Sequence, residues 1–312
     1  AYRCHATPGN YNNHIGVPLT LLATPSDTDF LVVEMGANHL QETDFLCKLA
    51  EPTYGLVTNN GLDHLEGFGS PENVARANAE LYEFLKATGG VAFVNMADAS
   101  LVKYSEGVQR VAYNVPNSMA WDNGVQEGLQ AAFLVGGREK WIKLNMFGRH
   151  NVLNALAALC VGRYFGVPEN DIYQALESYQ PTGHRSAILS YGGAIVVSDC
   201  YNANPSSMEV ALEEFLRVAP APRTVILGDM WELGSYSAEH HLRIIHRILN
   251  AENLQAILCG PLFTQAAREV SANLLCFESV QSLKNWFSGQ NWQGHHILLK
   301  GSRGMSLEKL LE

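Results

Sequence analysis

The chain has 312 residues, 47% of them hydrophobic and 17% charged, with a formal net charge of −10. That length favours two domains with real cores. The acidic balance argues against a nucleic-acid backbone as the main partner, though not against phosphates bound locally by backbone N–H groups and a few cations. The six cysteines form no C-x-x-C pair and read as reduced residues of a cytoplasmic protein, without disulfides or a zinc site. No apolar stretch is long enough to span a bilayer, and no signal peptide is visible. A start at Ala1-Tyr-Arg-Cys-His5, without Met, reads as the interior of a longer protein.

Residues 1–6 read as the end of a strand. Thr7–Thr20 follows, punctuated by Pro and Gly. Its Asn10, Asn12 and Asn13 are suited to bond local backbone or a ligand, ahead of a short helix to Leu22. Phe30–Val33 is a continuous apolar run, as in a strand buried on both faces, and it ends at Glu34. A carboxylate at the carboxyl end of such a strand lies where open α/β sheets bind ligands; the plainer reading is a helix cap. A second strand, Tyr54–Thr58, runs toward His64, so Glu34 and His64 are a candidate pair of ligands for a divalent cation.

Ser70, Pro71 and Glu72 open a helix with the stripe Val74, Ala77, Leu81, Phe84 and Leu85, and Asn78 lies on that stripe. Strands follow at Gly90–Asn95 and Arg110–Tyr113, and residues 115–147 read as antiparallel hairpins appended to a parallel sheet. Gly148-Arg-His-Asn opens an apolar helix ending at Gly166. Asn151 and Asn154 share a face of its first turn, where amides suit the edge of a base; N-capping alone would account for Asn151.

Pro181–Ser186 is the expected domain boundary, giving domains 1–186 and 187–312. Beyond it, strands at Ala194, Thr224, Ala256, Leu274 and Ile297 alternate with helices, the last through Leu307 and Leu310. That pattern implies a doubly wound parallel sheet. Polar residues cluster at its strand ends: Asp199–Pro205, Gly228–Gly234 and Lys300–Gly304. Lys300 and Arg303 beside Gly301 suggest an anion site.

Taken together, Thr7–Pro18, Val33–His39, Asp63–Ser70, Gly148–Ala158, Asp199–Pro205, Leu227–Gly234 and Lys300–Arg303 resemble the Mur ligases of peptidoglycan synthesis, in the family's order. The strings Leu-Gly-Asp-Met-x-Glu-Leu-Gly and Asp-x-Tyr-Asn-Ala-Asn-Pro point to the branch that adds D-alanyl-D-alanine. The resemblance implies a central ATPase domain, N-terminally incomplete, and a C-terminal Rossmann-like domain. It implies ATP, Mg2+, UDP-N-acetylmuramoyl-tripeptide and D-Ala-D-Ala as ligands, with reaction through an acyl phosphate, in a cytoplasmic monomer. Glu34 and His64 would hold magnesium. Asn154 with Asn151 would read adenine, Arg185 touch phosphates and Asp199 the ribose. Asn12 and Asn13 would lie near substrate or phosphates. Tyr201, Asn202, Asn204, Lys300, Ser302 and Arg303 would serve the dipeptide and domain closure.

Two features depart from that pattern. No Gly-Lys dipeptide, and so no phosphate-binding loop, occurs in residues 1–312, so these residues alone are expected to turn over little. Asn78 stands where the family usually has a carbamylated lysine bridging two magnesium ions. The alternatives are a related ligase of the folylpolyglutamate-synthase kind and a non-catalytic scaffold.

Overall fold

The computed structural model describes residues 1–61, 65–114, 130–134, 141–181, 183–270 and 274–312, with only the backbone of 65, 66 and 130–134. His64, Thr182 and most of the expected hairpin region, 115–129 and 135–140, lie outside the described residues. The chain divides into two compact units, residues 1–119 with 156–169, and residues 120–155 with 170–312.

Unit 1 runs β1 (Cys4–Ala6), α1 (Gly16–Leu22), β2 (Phe30–Val32), α2 (Glu42–Ala50), β3 (Tyr54–Leu56), α3 (Leu65–Phe68), α4 (Pro71–Thr88), β4 (Val91–Asn95), α5 (Ala99–Tyr104) and β5 (Gln109–Tyr113). β1 pairs with β2, and β3, β4 and β5 form a separate parallel sheet. The Phe30 run is therefore not the doubly buried strand the sequence suggested. Its only partner among the described residues is β1, and Val32 is 60% exposed. A band of aromatics bridges the two small sheets, with Phe165 edge-on to both Phe30 and Tyr54.

The start signals of α4 work as read. Ser70 Oγ accepts the Asn73 N–H, and Pro71 fills the first position. Gly89, at φ 76°, ends the helix. Asn78 is partnered: its Nδ2 donates to Asn60 Oδ1 (3.0 Å), and Asn60 Nδ2 donates to Ser100 Oγ (2.8 Å).

Next come β6 (Gln130–Leu134), β7 (Trp141–Phe147), α6 (Arg149–Tyr164), within which the division between units falls, and α7 (Glu169–Ser178). Unit 2 continues with β8 (Ala187–Tyr191), β9 (Ala194–Asp199), α8 (Pro205–Val218), β10 (Arg223–Gly228), α9 (Ser237–Leu249), β11 (Leu254–Cys259), α10 (Pro261–Glu269), β12 (Leu275–Phe277), α11 (Val280–Phe287) and β13 (His296–Lys300). Its sheet has the order β12-β11-β10-β13-β9-β8-β7-β6. The first five strands are mutually parallel; β8, β7 and β6 add on antiparallel.

Side chains alternate to opposite faces along a strand, so a sheet needs cover on both. Val225, Leu227 and Leu298 join Met208, Phe215, Ile245 and Phe263 from α8, α9 and α10. Ile226, Ile297 and Leu299 join Leu283 and Phe287 from α11 with Leu307 and Leu310. This is the mixed α/β, doubly wound arrangement expected. The last segment differs: Arg303–Met305 and Leu307–Leu311 are 3-10 turns rather than an α-helix. β8 was not foreseen; it turns back into β9 through Gly192 and Gly193, both at positive φ.

Candidate active site

In unit 1 the loops leaving β1 and β2 are tied together. The Glu34 N–H donates to Thr7 Oγ1 (2.9 Å), and the Gly36 N–H donates to the Asn12 carbonyl (2.8 Å). Asn12 Nδ2 donates to Glu34 Oε1 (2.8 Å) and so aims the carboxylate. The fit is close, since a Cβ at Gly36 would lie 2.7 Å from Asn12 Nδ2. Asn13 has a different task. Its Oδ1 accepts the N–H groups of Ile15 and Gly16 and starts α1. Glu34 is exposed, and its Oε2 makes no hydrogen bond among the described residues. Magnesium keeps several waters and needs one or two carboxylates beside phosphate oxygens, so this carboxylate suits it. No cluster of three or more His, Cys, Asp or Glu gathers among the described residues.

In unit 2 the polar groups converge at the carboxyl ends of β9, β13 and β10, adjacent in the sheet. Asp199 and Lys300 are register partners. Lys300 Nζ donates to Asp199 Oδ2 (2.5 Å) and to the Asn202 carbonyl (3.1 Å), with its side chain 2% exposed. Asp199 Oδ1 accepts from Ser186 N (3.1 Å) and Ser186 Oγ (3.2 Å). Ser186 reaches there on a bent backbone: Gly183, His184 and Ser186 all have φ between 55° and 69°. Burial pushes the Asp199 carboxyl up, but the Lys300 ammonium outweighs it and holds the group below the usual carboxylate range.

His150 Nε2 lies 3.3 Å from Ser186 Oγ and 3.1 Å from Asn151 Nδ2. Asn151 is buried and also donates to the Phe147 carbonyl (2.7 Å), so its amide is spent inside the fold. Its Oδ1 takes Asn154 Nδ2 (3.4 Å), and Asn154 is exposed. Of the two, Asn154 is thus the one available to a base edge.

Arg185 is exposed and lies over the Tyr201 ring, its Cζ 3.5 Å from the centroid. Asn204 Oδ1 accepts the Ser207 N–H (2.7 Å), and Ser207 Oγ accepts the Asn204 N–H (3.1 Å), a reciprocal cap on α8. Asn202 is exposed, with its Oδ1 on the Ala203 N–H (2.9 Å). Ser302 knits three loops: its Oγ accepts from Trp231 N (2.9 Å) and donates to the Ala203 carbonyl (3.4 Å), while its N–H donates to the Asp229 carbonyl (3.1 Å). Arg303 donates to Glu308 Oε1 (2.6 Å), with its side chain 58% exposed. The two cations of the expected anion site are therefore both held by carboxylates.

His150, Ser186 and His241 were not singled out from the sequence, and Asp229 and Trp231 only as members of the Gly228–Gly234 cluster. Only long-range pairing gives them their places. His241 is fully buried. Its Nδ1–H donates to the Ser237 carbonyl (2.7 Å) and its Nε2 accepts the Met230 N–H (3.1 Å), an arrangement that requires the neutral ring. Burial depresses the basicity of both His150 and His241. In an unfolded chain they would take protons near pH 6.5. Between that pH and their lower folded values the unfolded state binds more protons, so stability is lost as the pH is lowered there. Denaturant midpoints are expected to drop between pH 7.5 and pH 5.5, and His241→Gln to flatten the slope. Burial pushes the thiols of Cys47, Cys200 and Cys259 up to about 12, which keeps them protonated near neutral pH.

Comparison with known proteins covers both units. Residues 1–162 match the Mur ligase middle domain, and residues 184–303 match the Mur ligase, glutamate ligase domain. The chain is 33% identical to the UDP-N-acetylmuramoyl-tripeptide–D-alanyl-D-alanine ligase of Bacillus subtilis (strain 168), covering 100% of this chain and 70% of that protein. Among solved structures it resembles a MurF from Acinetobacter baumannii at TM-score 0.86 and 29% identity, covering 99% of this chain and 70% of that one. It also resembles MurF ligase from Thermotoga maritima in complex with ADP, at TM-score 0.85 and 25% identity, covering 99% and 72%.

Proposed function

The chain belongs to the Mur ligase family, and we propose that it carries the ATPase and ligase parts of an enzyme joining D-Ala-D-Ala to UDP-N-acetylmuramoyl-tripeptide. The observation that carries the reading is the likeness to ligases of that name along essentially the whole chain, together with the joined strand-end loops of unit 2. A folylpolyglutamate-type ligase or a scaffold fits that likeness less well.

The substrate carboxylate would attack the terminal phosphorus of ATP with loss of ADP; the dipeptide amine would then attack the acyl carbon, shed a proton and expel phosphate. Within that scheme each residue has a distinct task. Glu34, aimed by Asn12, offers the carboxylate for magnesium, which supplies charge neutralisation of the phosphates when bound. His64 is its proposed companion. Asn154, braced by Asn151, reads adenine. Arg185, next to Ser186, serves the phosphates, and Asp199, at the end of β9 and bonded by Ser186, the ribose. Arg303 and Asn202 are exposed to the dipeptide, whereas Lys300 works from below by fixing Asp199 and the Asn202 carbonyl. Tyr201 supports Arg185, and Asn204 and Ser302 hold the loops together. Asn13 sets the loop beside Asn12. In this reading residues 1–186 are the ATPase part and 187–312 the ligase part; the matched family segments, 1–162 and 184–303, meet close to that boundary. The enzyme is a cytoplasmic monomer in this reading; among the described residues no helix is long and apolar enough to cross a membrane.

The test is phosphate release with ATP, magnesium, UDP-N-acetylmuramoyl-tripeptide and D-Ala-D-Ala. A form extended upstream through a phosphate-binding loop is expected to turn over, and residues 1–312 alone to give little. Release from no form would overturn the ligase reading. Asn12→Ala is expected to weaken divalent-cation binding about tenfold, read by manganese titration, because an unaimed carboxylate loses its orienting partner.

A further inference from the structure

The loop leaving β10 carries Trp231 at the variable place of the Leu-Gly-Asp-Met-x-Glu-Leu-Gly string. Its main chain is fixed on both sides. The Trp231 N–H donates to Ser302 Oγ, and the preceding Met230 N–H donates to His241 Nε2. Glu232, directly after it, is at φ 62°. The indole itself lies on Gly304. A Cβ there would come within 1.9 Å of Cζ3 and 2.5 Å of Cη2, so only glycine leaves room for the ring. Despite these restraints Trp231 is 45% exposed.

An aromatic fixed through its main chain, packed against Gly304 and still nearly half exposed suits a binding surface better than a core. It stands at the carboxyl edge of a parallel sheet, the edge where such sheets bind ligands. Gly304 follows Arg303, whose side chain is itself largely exposed. An exposed aromatic in the same group of strand-end loops as a largely exposed arginine suits a small molecule with a carboxylate and short aliphatic side chains. We infer that Trp231 is a specificity-determining contact for the incoming dipeptide, its indole packing on the methyl side chains. This rests on the ligase reading above.

The test is steady-state kinetics on the shortest form of the protein that ligates, with Trp231→Ala, Trp231→Leu and Gly304→Ala. The last variant displaces the ring without deleting it. Trp231→Ala and Gly304→Ala are expected to raise KM for D-Ala-D-Ala about five- to tenfold, with kcat falling less than KM rises. KM for ATP and for the UDP-linked substrate is expected to stay within about twofold. Trp231→Leu is expected to recover part of the loss, and Trp231→Ala to narrow the preference over D-alanyl-D-valine. An unmoved dipeptide KM would overturn the inference, as would a parallel rise in all three KM values, which would mean that the ring only braces the loops. If Trp231→Ala fails to fold, Gly304→Ala and Trp231→Leu decide. If the unmodified enzyme releases no phosphate with these substrates, the ligase reading falls and takes the inference with it; if it does and the variants match it, the inference alone falls.

Discussion

Lys300→Met is expected to cost unit 2 about 3–5 kcal/mol, read as a lowered denaturant midpoint. Methionine fills the space of the lysine stem, so the loss is not one of packing. It comes from Asp199, which keeps its charge in a nearly closed site after its 2.5 Å partner is gone. Ser186 still donates to one carboxylate oxygen, but nothing replaces Lys300 on the other. The Asn202 carbonyl loses its donor as well. Adding Asp199→Asn is expected to recover much of the stability, because the buried charge is removed with the cation.

The pH dependence of this variant separates charge from shape. In the native fold the Asp199 carboxyl titrates below its ordinary range. Its pairing therefore stabilises the fold above about pH 4, the unfolded value, and that contribution fades as pH falls through the folded value. Without Lys300 the carboxyl takes up a proton more readily. The gap between wild type and Lys300→Met is expected to be widest near neutrality and to close toward acid. A gap independent of pH would mean that packing, not charge, was lost.

The parts of this arrangement that could be read in the sequence are those written locally. Apolar runs such as Val225–Leu227 and Ile297–Leu299 announce buried parallel strands, because both of their faces are covered. Ser70-Pro71 and Asn204-Pro205 announce helix starts, because capping involves residues only three apart. The same logic misled at Phe30–Val33, where an apolar run lies in a two-stranded sheet with Val32 open. It also missed α5, whose six residues are too few to show a period although Asp98 caps it. Asp199 and Lys300 could each be picked out at a strand end, but not as a pair, since 101 residues separate them. Ser186 carried no signal of its own. Its role depends on a left-handed backbone that no side-chain pattern encodes.

Gly260→Ala is the second large effect expected, about 3–5 kcal/mol by the same measurement, from strain and a broken cap together. Gly260 ends β11 and precedes α10 at φ 115° and ψ 159°, a conformation open almost only to glycine. A Cβ there would meet the Asp229 carboxylate at 2.3 Å. That carboxylate has no room to retreat. Its oxygens accept the N–H groups of Leu262 (3.0 Å) and Phe263 (2.9 Å) at the start of α10, where a negative group is favoured. Moving Asp229 would unpair both amides and shift the loop whose Asp229 carbonyl takes the Ser302 N–H. Gly294→Ala provides the comparison. Gly294 also has a positive φ, 77°, but nothing lies within 4 Å of a Cβ there. Backbone strain alone should then cost about 1–2 kcal/mol. Equal losses at the two positions would mean that Asp229 yields freely and that the β10 loop is not held by it. A clearly larger loss at Gly260 is expected from its more restricted backbone and the Asp229 cap together, the cap being the contact that joins α10 to the loop carrying Trp231.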